Sequence, residues 1–222
     1  MHFYPTLVVL SLLGLICHSG MSLAARFAAP EDGNDLIGEL RQVTADRELT
    51  LLDIAREHDV GQDELQIANP TLDRWLPANG DQVLIPSQHV LPDAKRRGLV
   101  LNLPEMRLYH FPATGATVVD TYPTSIGRMD WKTPLVGTRI IRKQAKPSWV
   151  PPESVHQEAA AAGETLPKVV PPGPDNPLGD YALRLGLPGY LIHGTNRPYG
   201  VGMRVTHGCV RMLPEDIEQL FG

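Results

Sequence analysis

Residues 98–111 read GLVLNLPEMRLYHF: a β-prone run over Gly98–Leu103, a break at Pro104-Glu105, and a second run from Met106 to Phe111. Thr117-Val118-Val119 and Val136–Ile141 (VGTRII) continue the pattern, and Tyr190-Leu191-Ile192 leads straight into His193. Short β-prone runs divided by turn residues predict a mostly β domain, an antiparallel β-sandwich or barrel-like fold, from about residue 96 onward. The 21 prolines and 20 glycines agree with many strand ends and loops rather than long helices. Between Ala145 and Gly186 runs a proline-rich connection with a short helix expected at Ala159–Ala162. Long connections in compact domains are usually lids or binding loops. This one leads into the strand that carries His193, so it reads as the wall of a substrate groove.

Upstream, residues 39–87 follow a different period. Glu39–Thr44 suits a short strand, and Thr50 followed by Asp53 three residues on is a helix-start signature. Leu51, Ile54 and Ala55 then recur at helical spacing. A second helix fits Gln62–Ala68, closed by Asn69-Pro70 because the residue before proline disfavours the α region. Gln82–Pro86 reads as the returning strand. The unit is therefore a small α+β module of order βααβ, marginal in size by itself.

The first 25 residues contain TLVVLSLLGLI (6–16) and then Ser22-Leu23-Ala24-Ala25. That apolar stretch is too short to span a bilayer stably and suits a signal peptide cleaved at small residues. The remaining chain would act outside the cytoplasm. With 20 basic and 25 acidic residues the net charge is −5, and no basic stripe marks a nucleic-acid partner. Cys17 lies in the leader, so the exported chain keeps Cys209 as its sole thiol, the pattern of a free reactive cysteine.

Chemistry concentrates in residues 192–212, IHGTNRPYGVGMRVTHGCVRM. A thiol attacks as the thiolate, and a nearby imidazole can take its proton and return it to a leaving amine. His193 at a strand end and His207 two residues before Cys209 are both candidates for that base. Gly194 and Gly208 leave backbone exposed, where an N–H could stabilise an oxyanion. Arg211 offers a planar fork for a carboxylate. Cys209, His207 and His193 are also possible zinc ligands, although no H-E-x-x-H motif accompanies them.

Two resemblances extend this reading. ADRELTLLDIAREHDVGQDELQIANP followed by NGDQVLIP resembles the LysM module, with Arg47-Glu48 in place of the usual Gly-Asp. That resemblance implies affinity for peptidoglycan or chitin glycan. IHGTN and THGCVRM, with LVLNLPEMRLYHFP, TPLVGTRI, PSWVPPES and PPGPDNPLGDYALRL upstream, resemble the YkuD-type L,D-transpeptidase catalytic domain over residues 96–222. The arrangement is similar to Gram-negative periplasmic members.

The second resemblance implies Cys209 as nucleophile, His193 as proton donor and acceptor, Thr206, His207 and Gly208 as supporting or oxyanion groups beside the Gly194 read above, and Arg211 as a carboxylate or motif-holding residue. The implied partners are peptidoglycan stem peptides, with diaminopimelate, an envelope lipoprotein lysine or water as acyl acceptor. No metal or organic cofactor is implied. The family usually continues through one more strand after Phe221, so the sheet is expected to be short of its C-terminal strand. That expectation raises a rival: a catalytically weak wall-binding protein working through its LysM-like module.

Overall fold

A computed structural model describes residues 25–30, 34–113 and 117–222. The expected leader lies outside these residues except for Ala25, which opens the first strand. In chain order the elements are β1 (Ala25–Ala28), β2 (Leu36–Gly38), β3 (Arg41–Thr44), α1 (Leu51–Glu57), α2 (Gln62–Ala68), β4 (Gln82–Ile85) and β5 (Gln88–Val90). There follow β6 (Gly98–Asn102), β7 (Arg107–Phe111), β8 (Val118–Gly127), β9 (Ile140–Ala145), α3 (Glu153–Ala161), β10 (Tyr181–Leu185), β11 (Leu191–His193), β12 (Arg204–Thr206), β13 (Val210–Met212) and α4 (Pro214–Phe221).

Nine strands join one sheet with the path β6-β7-β8-β13-β11-β10-β9, and β1 and β12 also pair with β8. The fold is mostly β, as the strand-like runs imply, but it is one curled sheet rather than a two-sheet sandwich. The curl centres on β8. Its first half pairs with β1 and β7, and its second half with β13 and β12. Pro123 opposes Arg107 on β7, and pairing with β13 begins at the next residue, Thr124. A proline lacks the amide for a ladder bond, so it suits this handover between partners.

The two-residue period of β7 sends Leu108 to one face and Tyr109 and Phe111 to the other. Leu108 joins Tyr122, Leu183, Ile192, Val210, Met212 and Ile217 in the main core. Ile217 comes from α4, which starts at Pro214 in the first helical position and lies on β10. Val136–Ile141 was expected to be a strand, whereas β9 occupies Ile140–Ala145. Leu135 and Val136 stand exposed, and pairing begins only where Ile140 meets Leu185.

Residues 41–85 form the expected strand–helix–helix–strand unit, with β3 and β4 paired antiparallel. Thr50 Oγ1 accepts the Asp53 amide at 3.1 Å and Asp53 Oδ2 accepts the Thr50 amide at 2.9 Å, a reciprocal cap. Asn69 ends α2 and its side chain donates to the Leu65 and Leu84 carbonyls at 2.9 and 2.8 Å, fastening the helix to β4. Leu51, Ile54, Leu65, Val83 and Ile85 fill this unit's own core.

The unit meets the sheet through charge. Arg107 on β7 is fully buried and donates to Glu64 Oε2 at 2.8 Å, the Asp59 carbonyl at 3.2 Å and Thr121 Oγ1 at 3.0 Å. Arg56 pairs with Glu215 of α4 at 2.8 Å. Asp59 and Asp216 are buried nearby. Burial pushes the Asp59 carboxyl up to about 7 and raises that of Asp216 well above the usual carboxylate range.

Candidate functional site

Strand register assembles the site. β11 and β13 run parallel, with Ile192 opposite Val210 and His193 opposite Arg211. Ile192 and Val210 point into the core, so the alternation sends His193, Leu191, Arg211 and the preceding Cys209 to the other face. β10 and β9 extend that face, with His193 opposite Ala182 and Ala182 opposite Gln144. Above it lies a pocket of about 260 Å³ whose lining includes Trp149, Arg184, His193, His207, Cys209 and Arg211. A larger cavity of about 800 Å³ between the β6 and β9 edges is lined mainly by apolar residues such as Leu99, Leu101, Leu135 and Ile140. Its lining includes neither Cys209 nor His193, which belong to the smaller pocket.

Cys209 is half-buried, with Sγ 3.7 Å from the Gly189 carbonyl. Burial raises its pKa, against the smaller lowering influences of the Leu191 amide and the Arg211 charge. The turn before it is fixed from several sides. Thr206 Oγ1 donates to the Cys209 carbonyl at 2.6 Å and accepts the Gly208 amide at 3.2 Å. Thr133 Oγ1 donates to the Gly208 carbonyl at 2.9 Å and accepts the Gly127 amide at 2.9 Å. Gly208 has φ +99°, and a Cβ there would lie 2.9 Å from the Tyr190 ring, so both backbone and space require glycine.

His193 is buried, with Nδ1 2.6 Å from the Gly194 carbonyl. A carbonyl only accepts, so Nδ1 carries the hydrogen and Nε2 keeps its lone pair for an incoming proton. Burial, with Arg211 as a second cause, holds the imidazole down to about 4. Cys209 and His193 are diagonal neighbours on adjacent strands, with Cα atoms about 8 Å apart from strand spacing and rise. A thiol and an imidazole projecting from one face can bridge that gap.

The connection between β9 and β10 roofs the pocket. It is braced internally by Asn176, whose Nδ2 donates to the Pro147 carbonyl at 2.8 Å, and by a two-way bridge between Trp149 and Val170. Its helix, α3, begins six residues earlier than the alanine run suggests, directly after Pro152. Glu158 on α3 bonds His207 Nε2 and accepts from Arg128 at 2.7 Å, and the His207 ring meets Trp131 edge-on at 4.8 Å. These partners hold the Glu158 carboxyl down to about 2.

Several expectations change here. His207 is turned to Glu158 and Trp131, and among the described residues no group of His, Cys, Asp and Glu comes together as a metal site. The zinc arrangement therefore does not form. The Gly194 and Gly208 amides are not free for an oxyanion: Gly194 N–H donates to the Tyr181 carbonyl at 3.1 Å and Gly208 N–H to Thr206. The Cys209 amide has no partner among the described residues. Arg211 lines the pocket and makes no ion pair among the described residues. Sequence reasoning missed Glu158 and Trp131, since nothing in their neighbourhood along the chain distinguishes them, and gave no role to Thr133 although it opens the TPLVGTRI segment.

The family model for the YkuD L,D-transpeptidase catalytic domain matches residues 96–222. The chain is 44% identical over 201 residues to the probable L,D-transpeptidase YbiS of Escherichia coli K12, covering 89% of this chain and 65% of that protein. It is 41% identical over 216 residues to the probable L,D-transpeptidase ErfK/SrfK of the same strain, covering 96% and 69%. A third relative there, the probable L,D-transpeptidase YcfS, is 42% identical over 197 residues, covering 86% and 61%. The chain thus spans about two thirds of the length of these relatives.

Proposed function

The chain belongs to the YkuD family of L,D-transpeptidase catalytic domains, and on that footing we propose that it is a periplasmic cysteine acyltransferase acting on peptidoglycan stem peptides. The observation that carries this is that Cys209 and His193 line one roofed pocket, with His193 Nδ1 held by the Gly194 carbonyl and Nε2 without a partner among the described residues. Cys209 Sγ attacks the diaminopimelate carbonyl of a tetrapeptide while His193 Nε2 takes the thiol proton. The C–N bond to D-alanine breaks, and His193 delivers that proton to the departing amine, leaving a thioester. An acceptor amine then attacks the thioester carbonyl, loses a proton through His193, and the proton returns to the Cys209 thiolate. With a diaminopimelate amine the product is a 3→3 crosslink, with a lipoprotein lysine a protein attachment, and with water a carboxypeptidase product.

The Cys209 amide suits the oxyanion of both tetrahedral intermediates. Arg211 suits a donor carboxylate, and Thr206, Gly208 and His207 hold the turn. Residues 39–87 would act as a LysM-like glycan-binding unit, for which Ile67, Trp75 and Leu76 offer an exposed apolar surface. Trp75→Ala should then weaken retention on purified sacculi.

Intact-protein mass spectrometry after incubation with L-Ala-D-Glu-meso-diaminopimelate-D-Ala tests the central claim. An acyl adduct on the wild type, lost in Cys209→Ala and His193→Ala, is expected. A protein that binds sacculi but never acylates would instead support the wall-binding alternative. Loss of acylation in His207→Ala with retention in His193→Ala would reassign the base.

A further inference from the structure

The face that carries His193 continues onto a row that holds none of the site residues implied by the resemblance. Leu191 opposes Arg184, and Arg184 opposes Arg142. Both arginines are exposed, and among the described residues neither side chain takes part in a hydrogen bond or ion pair. Arg184 lines the same pocket as Cys209 and His193. Like charges directly opposite on paired strands repel and destabilise the sheet, with Cβ atoms about 5 Å apart. The other polar contacts of β9 and β10 do not relieve this pair. Lys143, one residue along, points to the opposite face, where its ammonium lies 4.9 Å from the Phe221 ring. A register shift between Arg184 and Leu185 also sits here, and bulges beside a reactive site serve to re-aim side chains.

We propose that Arg142 and Arg184 form a carboxylate-binding ledge that selects an acyl acceptor bearing both an amine and a carboxylate. The proposal rests on the transferase reading above. The donor end already has Arg211, partly buried beside Cys209. Once the thioester forms, that end is occupied, and the second substrate must come in across the exposed mouth. The ledge lies one strand from β11 there. Two guanidinium forks can grip one carboxylate from two sides and place the amine toward the thioester and His193.

Two acceptors with the same side-chain amine test this: Nα-acetyl-lysine and Nα-acetyl-lysine amide. The acyl-enzyme is formed on the full chain with the tetrapeptide, each acceptor is added, and transfer rates are followed by mass spectrometry. The wild type is expected to favour the carboxylate by roughly tenfold, the worth of one charge-assisted hydrogen bond. In Arg142→Gln/Arg184→Gln that ratio should fall to about one, and because it compares two acceptors on one acyl-enzyme it is independent of the acylation rate. Thermal unfolding verifies that the variant folds, and removal of the repulsion should hold or raise its midpoint. An unchanged ratio overturns the proposal, as does a loss confined to acyl-enzyme formation, which would assign the arginines to the donor. A wild type that forms no acyl-enzyme removes the transferase reading and the ledge with it.

Discussion

Raising the pH through the neutral range should increase the alkylation rate of Cys209 about tenfold per pH unit, with no plateau, because the resting pair is neutral. The thiol is pushed above its ordinary 9.0 by burial, while the imidazole is held down to about 4 by burial and Arg211. Moving the proton from Sγ to Nε2 at rest therefore runs uphill, because the thiol holds it more tightly than the imidazole does. An imidazolium–thiolate pair would be populated far too little to matter, so proton transfer must accompany attack on the substrate carbonyl. Iodoacetamide needs no such help and reports thiolate alone. Measured by intact mass from pH 5.5 to 8.5, His193→Ala should follow nearly the same alkylation profile as the wild type. Acylation by the tetrapeptide should meanwhile fall by about 10²–10⁴, the usual worth of a positioned base. A pH-independent alkylation rate between pH 5.5 and 7, abolished in His193→Ala, would refute the reasoning by revealing a preformed ion pair.

Arg107→Ala strips the positive charge from buried Glu64 and Asp59 contacts and should cost about 3–5 kcal/mol, lowering the melting midpoint by roughly 10 °C in calorimetry. Asp59 binds its proton more tightly folded than unfolded, so its contribution is complete below about pH 4 and is lost as pH rises through about 7. His193 and His89, held down to about 4 and about 3, act oppositely: their contributions are present above about 6.5 and lost on acidification. The wild type should accordingly unfold at lower temperature at pH 8 than at pH 6, and Asp59→Asn should flatten that alkaline limb. Glu158→Gln removes the charge that ties α3 to Arg128 and His207, so hydrogen exchange across 153–161 should accelerate while the global melting midpoint stays within a degree or two.

What the sequence discloses here is whatever is decided locally. The bounds of α2 and the Thr50–Asp53 cap follow from neighbours three or four residues away, and both occur as expected. The β-rich character of residues from 98 onward follows from composition, and Cys209 and His193, singled out from the residues around them, line one pocket. Non-local partners decide the rest. Val136–Ile141 has the composition of a strand, yet β10 sets where β9 begins. Gly194 and Gly208 look like bare backbone in the sequence, but Tyr181 and Thr206 consume their amides. Glu158 stands just before a run of alanines with no sign of its distant partners. Arg107, Asp59 and Asp216 are charged residues of the kind that normally face water, and only the docking of the small unit on the sheet buries them.

The four-partner strand β8 has a kinetic consequence. Its β1 and β7 neighbours are synthesised before it, but its β12 and β13 neighbours come long after, so a chain emerging from its N-terminus cannot finish the sheet until Met212 has arrived. Contacts so distant in sequence must overcome a large loop-closure entropy before they stabilise anything, which slows folding and makes it an all-or-none event. The Cys209 turn lies between β12 and β13, so the thiol acquires its pocket only in that last step, and a partly made chain carries no assembled nucleophile.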